Sequence, residues 1–352
     1  MKNIVNNIIT SRPRLEVLSN LDRGRQEKLY RMFYEHGPGN GTFLSLPFDQ
    51  LIEHGAVHTF KWKKKERKIN EKTGIGAADP RTVIELANKG NFSAIVLHPG
   101  LANKYRDLLR IDVPLIYKID GHMTLPQDSP IPSIIGSIND AMRLGATAVG
   151  MTLYAGSSQT KEDIIRVSRI IRKCHRYGMP AVVWAYPRGP GVNEVGADSL
   201  FWVHYACVVA ESLGADVVKT KFPAQVKEEK RKAYFNYMKK IAKKTREAEK
   251  YIKLEPEKGQ ELTEKQHTSR MKMVLDAVPR TFVIISGGPM IREDPKKGLT
   301  YTTRIIMNAG AEGRIIGRNF WGVPVDEGLE FSNIVAKIMK EPQYRRPFKN
   351  KY

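Results

Sequence analysis

A chain of 352 residues has room for one large domain or two ordinary ones. With 41% hydrophobic and 27% charged residues it has the profile of a folded, soluble protein rather than a disordered one. No apolar run is long enough to span a bilayer. The segment Met1 to Arg12 lacks the apolar core of a signal peptide, so no membrane partner is expected and the expected location is the cytoplasm.

The formal net charge is +21. Such a charge suits nucleic acid, an anionic surface or phosphorylated substrates. The local excess of lysine and arginine between Lys227 and Lys253 carries no zinc-finger, aromatic RNA-binding or heptad pattern. Nucleic acid is therefore not an expected partner, although charge alone does not exclude it. Cys174 and Cys207 lack any Cys-x-x-Cys spacing and are expected to be buried free thiols.

Taken in order, residues 1–41 read as an N-terminal extension. Asp22 is a candidate N-cap for a helix reaching His36, and the run Gly37-Pro38-Gly39-Asn40-Gly41 breaks it. A strand over Thr42 to Gln50 then delivers Asp49 to its end, and the basic stretch His58 to Lys68 reads as a surface segment. From Asp79 a rhythm sets in. Strands are predicted at Ala94–Pro99, Pro114–Ile119, Ala148–Tyr154, Ala181–Tyr186, Gly214–Pro223, Phe282–Ser286 and Gly313–Arg318. Helical patterns separate them at Pro80–Lys89, Ala102–Arg110, Ile134–Leu144, Lys161–Tyr177, Ser199–Leu213 and Tyr301–Ala309, and Gly328–Met339 follows the last strand. Residues 224–275 form a long, charged, helix-prone insertion between the sixth and seventh strands, and residues 341–352 a basic tail.

Eight short apolar strands alternating with helices predict an α/β fold, a closed (β/α)8 TIM barrel spanning residues 42–340. No Gly-x-Gly-x-x-Gly follows the first strand, which argues against an open dinucleotide-binding sheet. In a closed barrel all strand C-termini face one mouth, so chemistry is sought there.

The strand ends place Asp49, Lys118, Trp184, Tyr186, Lys219, Lys221, Ser286-Gly287-Gly288 and Gly317-Arg318 at that mouth. Strand alternation puts Trp184 with Tyr186, and Lys219 with Lys221, on one face each. Taken singly, each has a duller explanation: a cap for Asp49, core filling for the aromatics, solvent for the lysines, an ordinary turn for the glycines. Together they are one acid, one phenol, three amines and a glycine nest at one end of the barrel. A buried amine beside a second cation loses its proton more readily and becomes a nucleophile, which suits Schiff-base chemistry. Glycines after the last two strands suit a phosphate held by backbone N–H groups, with Arg318 adding charge.

The blocks Leu46-Pro47-Phe48-Asp49-Gln50-Leu51-Ile52-Glu53-His54-Gly55, Val183-Trp184-Ala185-Tyr186-Pro187-Arg188-Gly189, Gly214-Ala215-Asp216-Val217-Val218-Lys219-Thr220-Lys221, Ser286-Gly287-Gly288-Pro289 and Gly317-Arg318-Asn319 resemble the class I fructose-bisphosphate aldolases of the archaeal and bacterial type. The resemblance runs from about Phe43 to Trp321. It implies that Lys219 is the Schiff-base lysine, Tyr186 the acid/base phenol and Asp49 the carboxylate beside them. It further implies that Trp184 shapes the pocket and that Ser286, Gly287, Gly288, Gly317 and Arg318 hold phosphate. Lys118 and Lys221, from their places at the strand ends, are expected to assist substrate binding. The implied partner is a phosphorylated sugar, with assembly as a homo-oligomer and no metal or cofactor. His54 and His98 are the pair that a zinc-dependent reading would use, but no third ligand stands at suitable spacing. Leu51 replaces the glycine usual in the family, the segment from Gln225 to Thr281 is longer than usual, and the first 40 residues match nothing in it. Related Schiff-base barrel enzymes acting on a ketose phosphate share the same lysine and tyrosine, and a non-catalytic basic barrel binding nucleic acid is the remaining alternative.

Overall fold

The computed structural model describes residues 20–54, 79–123, 131–288, 291 and 293–346. The stretch His58 to Lys68, the start of the N-terminal extension, Pro289 and the end of the basic tail lie outside them. Ten strands occur among the described residues. Eight of them, β1 (Phe43–Phe48), β2 (Ala94–Leu97), β3 (Leu115–Lys118), β6 (Ala148–Ala155), β7 (Ala181–Pro187), β8 (Val217–Thr220), β9 (Phe282–Ser286) and β10 (Gly313–Ile315), close into a barrel in chain order. Every barrel pairing is parallel, from Ser45 beside Ala94 round to Phe43 beside Gly313. The two remaining strands, β4 (Asp120–Gly121) and β5 (Ser133–Ile134), form a small antiparallel ribbon over the mouth-side end of β3.

The strands are short because each crosses the barrel wall once and is buried on both faces, so they read as apolar runs. Their outward residues pack against the surrounding helices, as Val183, Val218 and Val283 do, in one large core. Their inward residues, among them Ala94, Val96, Ile116, Val182, Trp184, Val217, Phe282, Ile284 and Ile315, form a second cluster inside the barrel. Helix Arg23–Tyr30 closes the base of that cluster. Asp22 caps it by accepting from Arg25 N at 3.0 Å. The chain then widens into a π-helical turn, Arg31–Glu35, closed by His36 N donating to Arg31 O. Leu29, Met32 and Phe33 are fully buried there, with the Phe33 ring 5.1 Å from Phe43 and 4.9 Å from Phe282. Gly37, Gly39 and Gly41 all have positive φ, which lets the chain turn sharply from this plug into β1.

Several helix boundaries differ from expectation. The helix predicted from Ile134 starts only at Ile138, because Ser133 and Ile134 pair with β4 and Ser137 caps the helix through Asp140 N. The helix predicted at Ala102–Arg110 is Pro99–Lys104, a single short stretch after β2. The helix after β9 begins at Pro295, where Asp294 caps it, rather than at Tyr301. The insertion resolves into helices Glu228–Ala242, Glu249–Lys253 and Glu264–Asp276. A fully buried Arg270–Glu255 pair at 2.8 Å fastens it, with Arg270 also donating to the carbonyls of Leu254 and Ala224 and Glu255 accepting from Val226 N. The insertion is thereby tied to the chain just past β8. Cys174 and Cys207 are both buried.

Candidate active site

A cavity of about 600 Å³ opens at the C-terminal ends of the strands. Asp49, Tyr186, Lys219, Lys221, Ser286, Gly287, Gly288, Gly317 and Arg318 all line it, joined by Glu53, Tyr154, Arg188 and Asp198. Strand parity accounts for the convergence. Trp184 pairs with Lys219 across β7 and β8, and both turn inward, as do Tyr186 and Lys221 two residues further up.

Lys219 is the centre of this arrangement. Its Nζ stands 3.8 Å from Asp49 Oδ2, 4.7 Å from the Trp184 ring centroid and 5.8 Å from that of Tyr186. Only 6% of the residue is exposed. Burial pushes the Lys219 amine below the usual lysine range, against the pull of Asp49 and Glu53, and Arg318 adds to the depression. Lys221, expected to be the depressing cation, is held instead by Asp198, with Nζ at 2.9 and 3.0 Å from its two oxygens. Arg318 takes the part that sequence reasoning gave to Lys221: Asp198 binds Lys221, while among the described residues Arg318 donates to a carbonyl, Gly288 O, rather than to a carboxylate.

Burial alone would raise Asp49, but Lys219, Lys118 and His98 outweigh it and keep the carboxyl ionised well below its ordinary range. Tyr186 moves the other way. Burial, then the negative charge of Asp49 and Glu53, raises its phenol far above the ordinary value, so it keeps its proton. Glu53 lies one helical turn after Asp49 in the short helix Leu51–His54. Burial and the Asp49 charge push it up to about 7.

Lys118 is corrected as a substrate contact. It is fully buried and does not line the cavity. Its Nζ is bound by the Asp120 carboxylate and the Asp120 carbonyl, the latter at 3.1 Å, and lies 5.3 Å from the Trp184 ring. Asp120 is anchored in turn by Arg166 at 2.6 Å and by Thr152 N at 2.9 Å. Lys118 is thus a fixed positive charge beneath the site. Trp184, equally buried, is the floor between Lys118 and Lys219. Gly150 makes room for it: a Cβ there would meet the Trp184 ring at 2.6 Å and Lys118 Cδ at 3.2 Å.

At the far side, Gly287 N donates to Ile315 O, Gly288 has φ +69°, and Arg318 Nη2 donates to Gly288 O at 3.1 Å. A Cβ on Gly317 would meet Pro47 O at 2.9 Å, so only glycine lets the loop after β10 approach β1 this closely. Across the cavity, Arg188 and Lys221 share one carboxylate, Asp198, Arg188 Nη1 at 3.1 Å. That leaves a net positive wall. Sequence reasoning missed Glu53, Arg188 and Asp198 as site members. Arg188 carried a usable signal, two residues beyond Tyr186 and therefore on the same face. Asp198 lies in a loop with no periodic signal. Among the described residues no three of His, Cys, Asp and Glu stand together closely enough to hold a metal ion.

Fold and site together define a (β/α)8 barrel enzyme built around one buried amine. Residues 43–322 match the DeoC/LacD family aldolases, and the chain belongs to that family. It is 29% identical over 313 residues to the class 1 fructose-bisphosphate aldolase of Thermoproteus tenax, covering 89% of this chain and 94% of that one. It is 26% identical to the fructose-bisphosphate aldolase/6-deoxy-5-ketofructose 1-phosphate synthase of Methanocaldococcus jannaschii, over 90% of this chain and 87% of that one. Among solved structures it superposes, with TM-score 0.65 and 25% identity, on an archaeal fructose-1,6-bisphosphate aldolase whose catalytic lysine is bound to the carbinolamine intermediate. That match covers 88% of this chain and 99% of the other. Among the described residues no helix is long and apolar enough to cross a membrane.

Proposed function

We propose that this protein is a class I fructose-bisphosphate aldolase that cleaves fructose 1,6-bisphosphate reversibly to dihydroxyacetone phosphate and glyceraldehyde 3-phosphate. The observation that carries the reading is the buried Lys219 amine, depressed by its surroundings and 3.8 Å from an ionised Asp49. The deprotonated amine adds to the C2 ketone, and loss of water gives an iminium. Asp49 stabilises that cation at close range in a site screened from solvent. The iminium accepts the electron pair of the C3–C4 bond, so an enamine forms instead of a bare carbanion, while a base removes the C4 hydroxyl proton. Tyr186, neutral because of burial, is suited to deliver the proton that converts the enamine back to an iminium before hydrolysis.

The two phosphates fit the two positive ends of the cavity. One faces Ser286 to Gly288, Gly317 and Arg318, and the other faces Arg188 and Lys221, whose shared Asp198 offsets only one of their two charges. The same proposal divides the chain into an extension over 1–41, a barrel over 42–340 and a tail beyond, and has the protein act in the cytoplasm as a homo-oligomer. A coupled assay should find the two triose phosphates in equal amounts, and Lys219→Met should abolish them. Absence of cleavage by the wild-type chain contradicts the reading. A second reading, transfer chemistry on another ketose phosphate through the same lysine, is favoured by the double activity named for the Methanocaldococcus jannaschii relative. A panel of ketose phosphates and acceptor aldehydes separates the two.

A further inference from the structure

The insertion after β8 carries the strongest local charge of the chain, and the catalytic proposal makes no use of it. Residues 239–246 hold five cations, Lys239, Lys240, Lys243, Lys244 and Arg246, and no acid. All five are exposed, at the end of helix Glu228–Ala242 and in the turn that follows it. Lys239, Lys240 and Lys243 lie within about 100° of one another around the helix axis. They therefore share its outer face, opposite the buried Tyr234 and Met238. The next carboxylates along the chain are taken by other partners, Glu247 by Lys250 and Glu249 by Lys253. Among the described residues no carboxylate pairs with any of the five.

Folding sets an aromatic group beside this row. Phe201, Trp202 and Tyr205 come from helix Leu200–Ser212, and Tyr237 from the lysine-bearing helix. The Tyr237 ring lies 5.5 Å from Trp202 and 6.3 Å from Phe201. Tyr205 stacks on Phe201 at 6.2 Å with the planes 10° apart, and Trp202 meets it edge-on at 6.0 Å. Two neighbours thus fix the Tyr205 ring, yet the residue is 50% exposed. Tyr237 precedes Lys240 by three residues, about one helical turn, so the aromatic group and the lysine row adjoin. The sequence showed no such pattern because the rings come from two helices far apart along the chain.

A row of unpaired cations suits a phosphate backbone, and a fixed, exposed ring suits an unstacked base, which a duplex does not offer. We propose that this face of the insertion binds single-stranded nucleic acid, with the phosphates along Lys239, Lys240, Lys243, Lys244 and Arg246 and a base on Tyr205. None of these residues lines the catalytic cavity, so the inference stands or falls independently of the aldolase reading.

Fluorescence anisotropy of the full chain with a labelled oligouridine of about 20 nucleotides, titrated with salt, tests the proposal. Changing Lys239, Lys240, Lys243 and Lys244 together to glutamate should weaken binding on the order of 100-fold at about 0.1 M salt. The slope of log affinity against log salt should fall by up to about 3, at about 0.7 for each lost contact. The control reverses four exposed cations of helix Thr160–Arg176, Lys161, Arg169, Arg172 and Lys173, and so changes the net charge equally. It should bind within a few-fold of wild type. Tyr205→Ala should cost roughly tenfold and leave the salt slope unchanged. All the replaced side chains are exposed, and an unchanged Tm checks that each variant is folded. Equal losses in the two reversals would make net charge alone responsible and overturn the proposal. So would a Tyr205→Ala variant that binds like wild type, or a wild-type chain that does not bind the oligouridine. Tighter binding of the wild type to phosphatidylserine vesicles than to oligouridine assigns the face to a lipid surface and also overturns it.

Discussion

Asp49→Asn keeps the size of the side chain and removes one charge from beside the reacting amine. The Asp49 oxygen stands 3.8 Å from Lys219 Nζ, and both side chains are 8% exposed. At an effective dielectric of about 20 that separation corresponds to an attraction of about 4 kcal/mol. Asp49 also interacts with Lys118 and His98, and Glu53 acts on Lys219 as well, so a loss of roughly half is expected. About 2 kcal/mol is a roughly 30-fold fall in turnover. The pH profile gives a sharper signature. Asp49 raises the Lys219 pKa while burial lowers it. Without Asp49, burial acts with less opposition, and the amine loses its proton at lower pH. The acid limb of kcat/KM should therefore move to lower pH even as the plateau drops. Steady-state cleavage of fructose 1,6-bisphosphate across the neutral range measures both. A variant within a factor of about three of wild type, with its acid limb unmoved, refutes the reasoning.

Gly150→Ala should push Trp184 and Lys118 apart, since the new Cβ would lie 2.6 Å from the ring. Overpacking of this kind costs about 1–3 kcal/mol, visible as a lower Tm together with reduced turnover. Glu53→Gln bears on pH dependence. Glu53 is raised from 4.5 to about 7 in the folded protein, so its contribution to stability is full below the ordinary glutamate range and is lost as pH rises towards about 7. Glutamine at this position should flatten that part of the Tm-against-pH curve, and an unchanged slope would contradict the assignment. Arg270→Met leaves Glu255 buried without its partner and should cost about 3–5 kcal/mol in urea unfolding. The further change Glu255→Leu should restore part of that stability, and a double variant no more stable than the single one would count against the ion pair as the cause.

The barrel was legible in the sequence because each strand is a short apolar run bounded by glycine or proline, as at Gly214 and Pro223 around β8. Strand alternation also placed Lys219 with Lys221, and Trp184 with Tyr186, before any coordinates. Contacts between distant segments were not legible. Asp198 reaches Lys221 from a loop 23 residues back, and the Asp120 that fixes Lys118 is itself anchored by Arg166 from the helix after β6. The exchange of Lys221 for Arg318 as the charge acting on Lys219 depends on that Asp198 contact. The N-terminal plug was hidden for a related reason. Helix Arg23–Tyr30 has almost no amphipathic pattern, and it is fastened by a few residues near its end, Leu29, Met32 and Phe33, that sink into the barrel base.

Borohydride reduction of the wild-type protein in the presence of dihydroxyacetone phosphate, followed by peptide mass mapping, tests the central claim most directly. The account predicts one adduct per chain, of the mass of dihydroxyacetone phosphate less one oxygen (water lost, two hydrogens gained), on the peptide that contains Lys219. Labelling on another lysine, or no label at all, contradicts it.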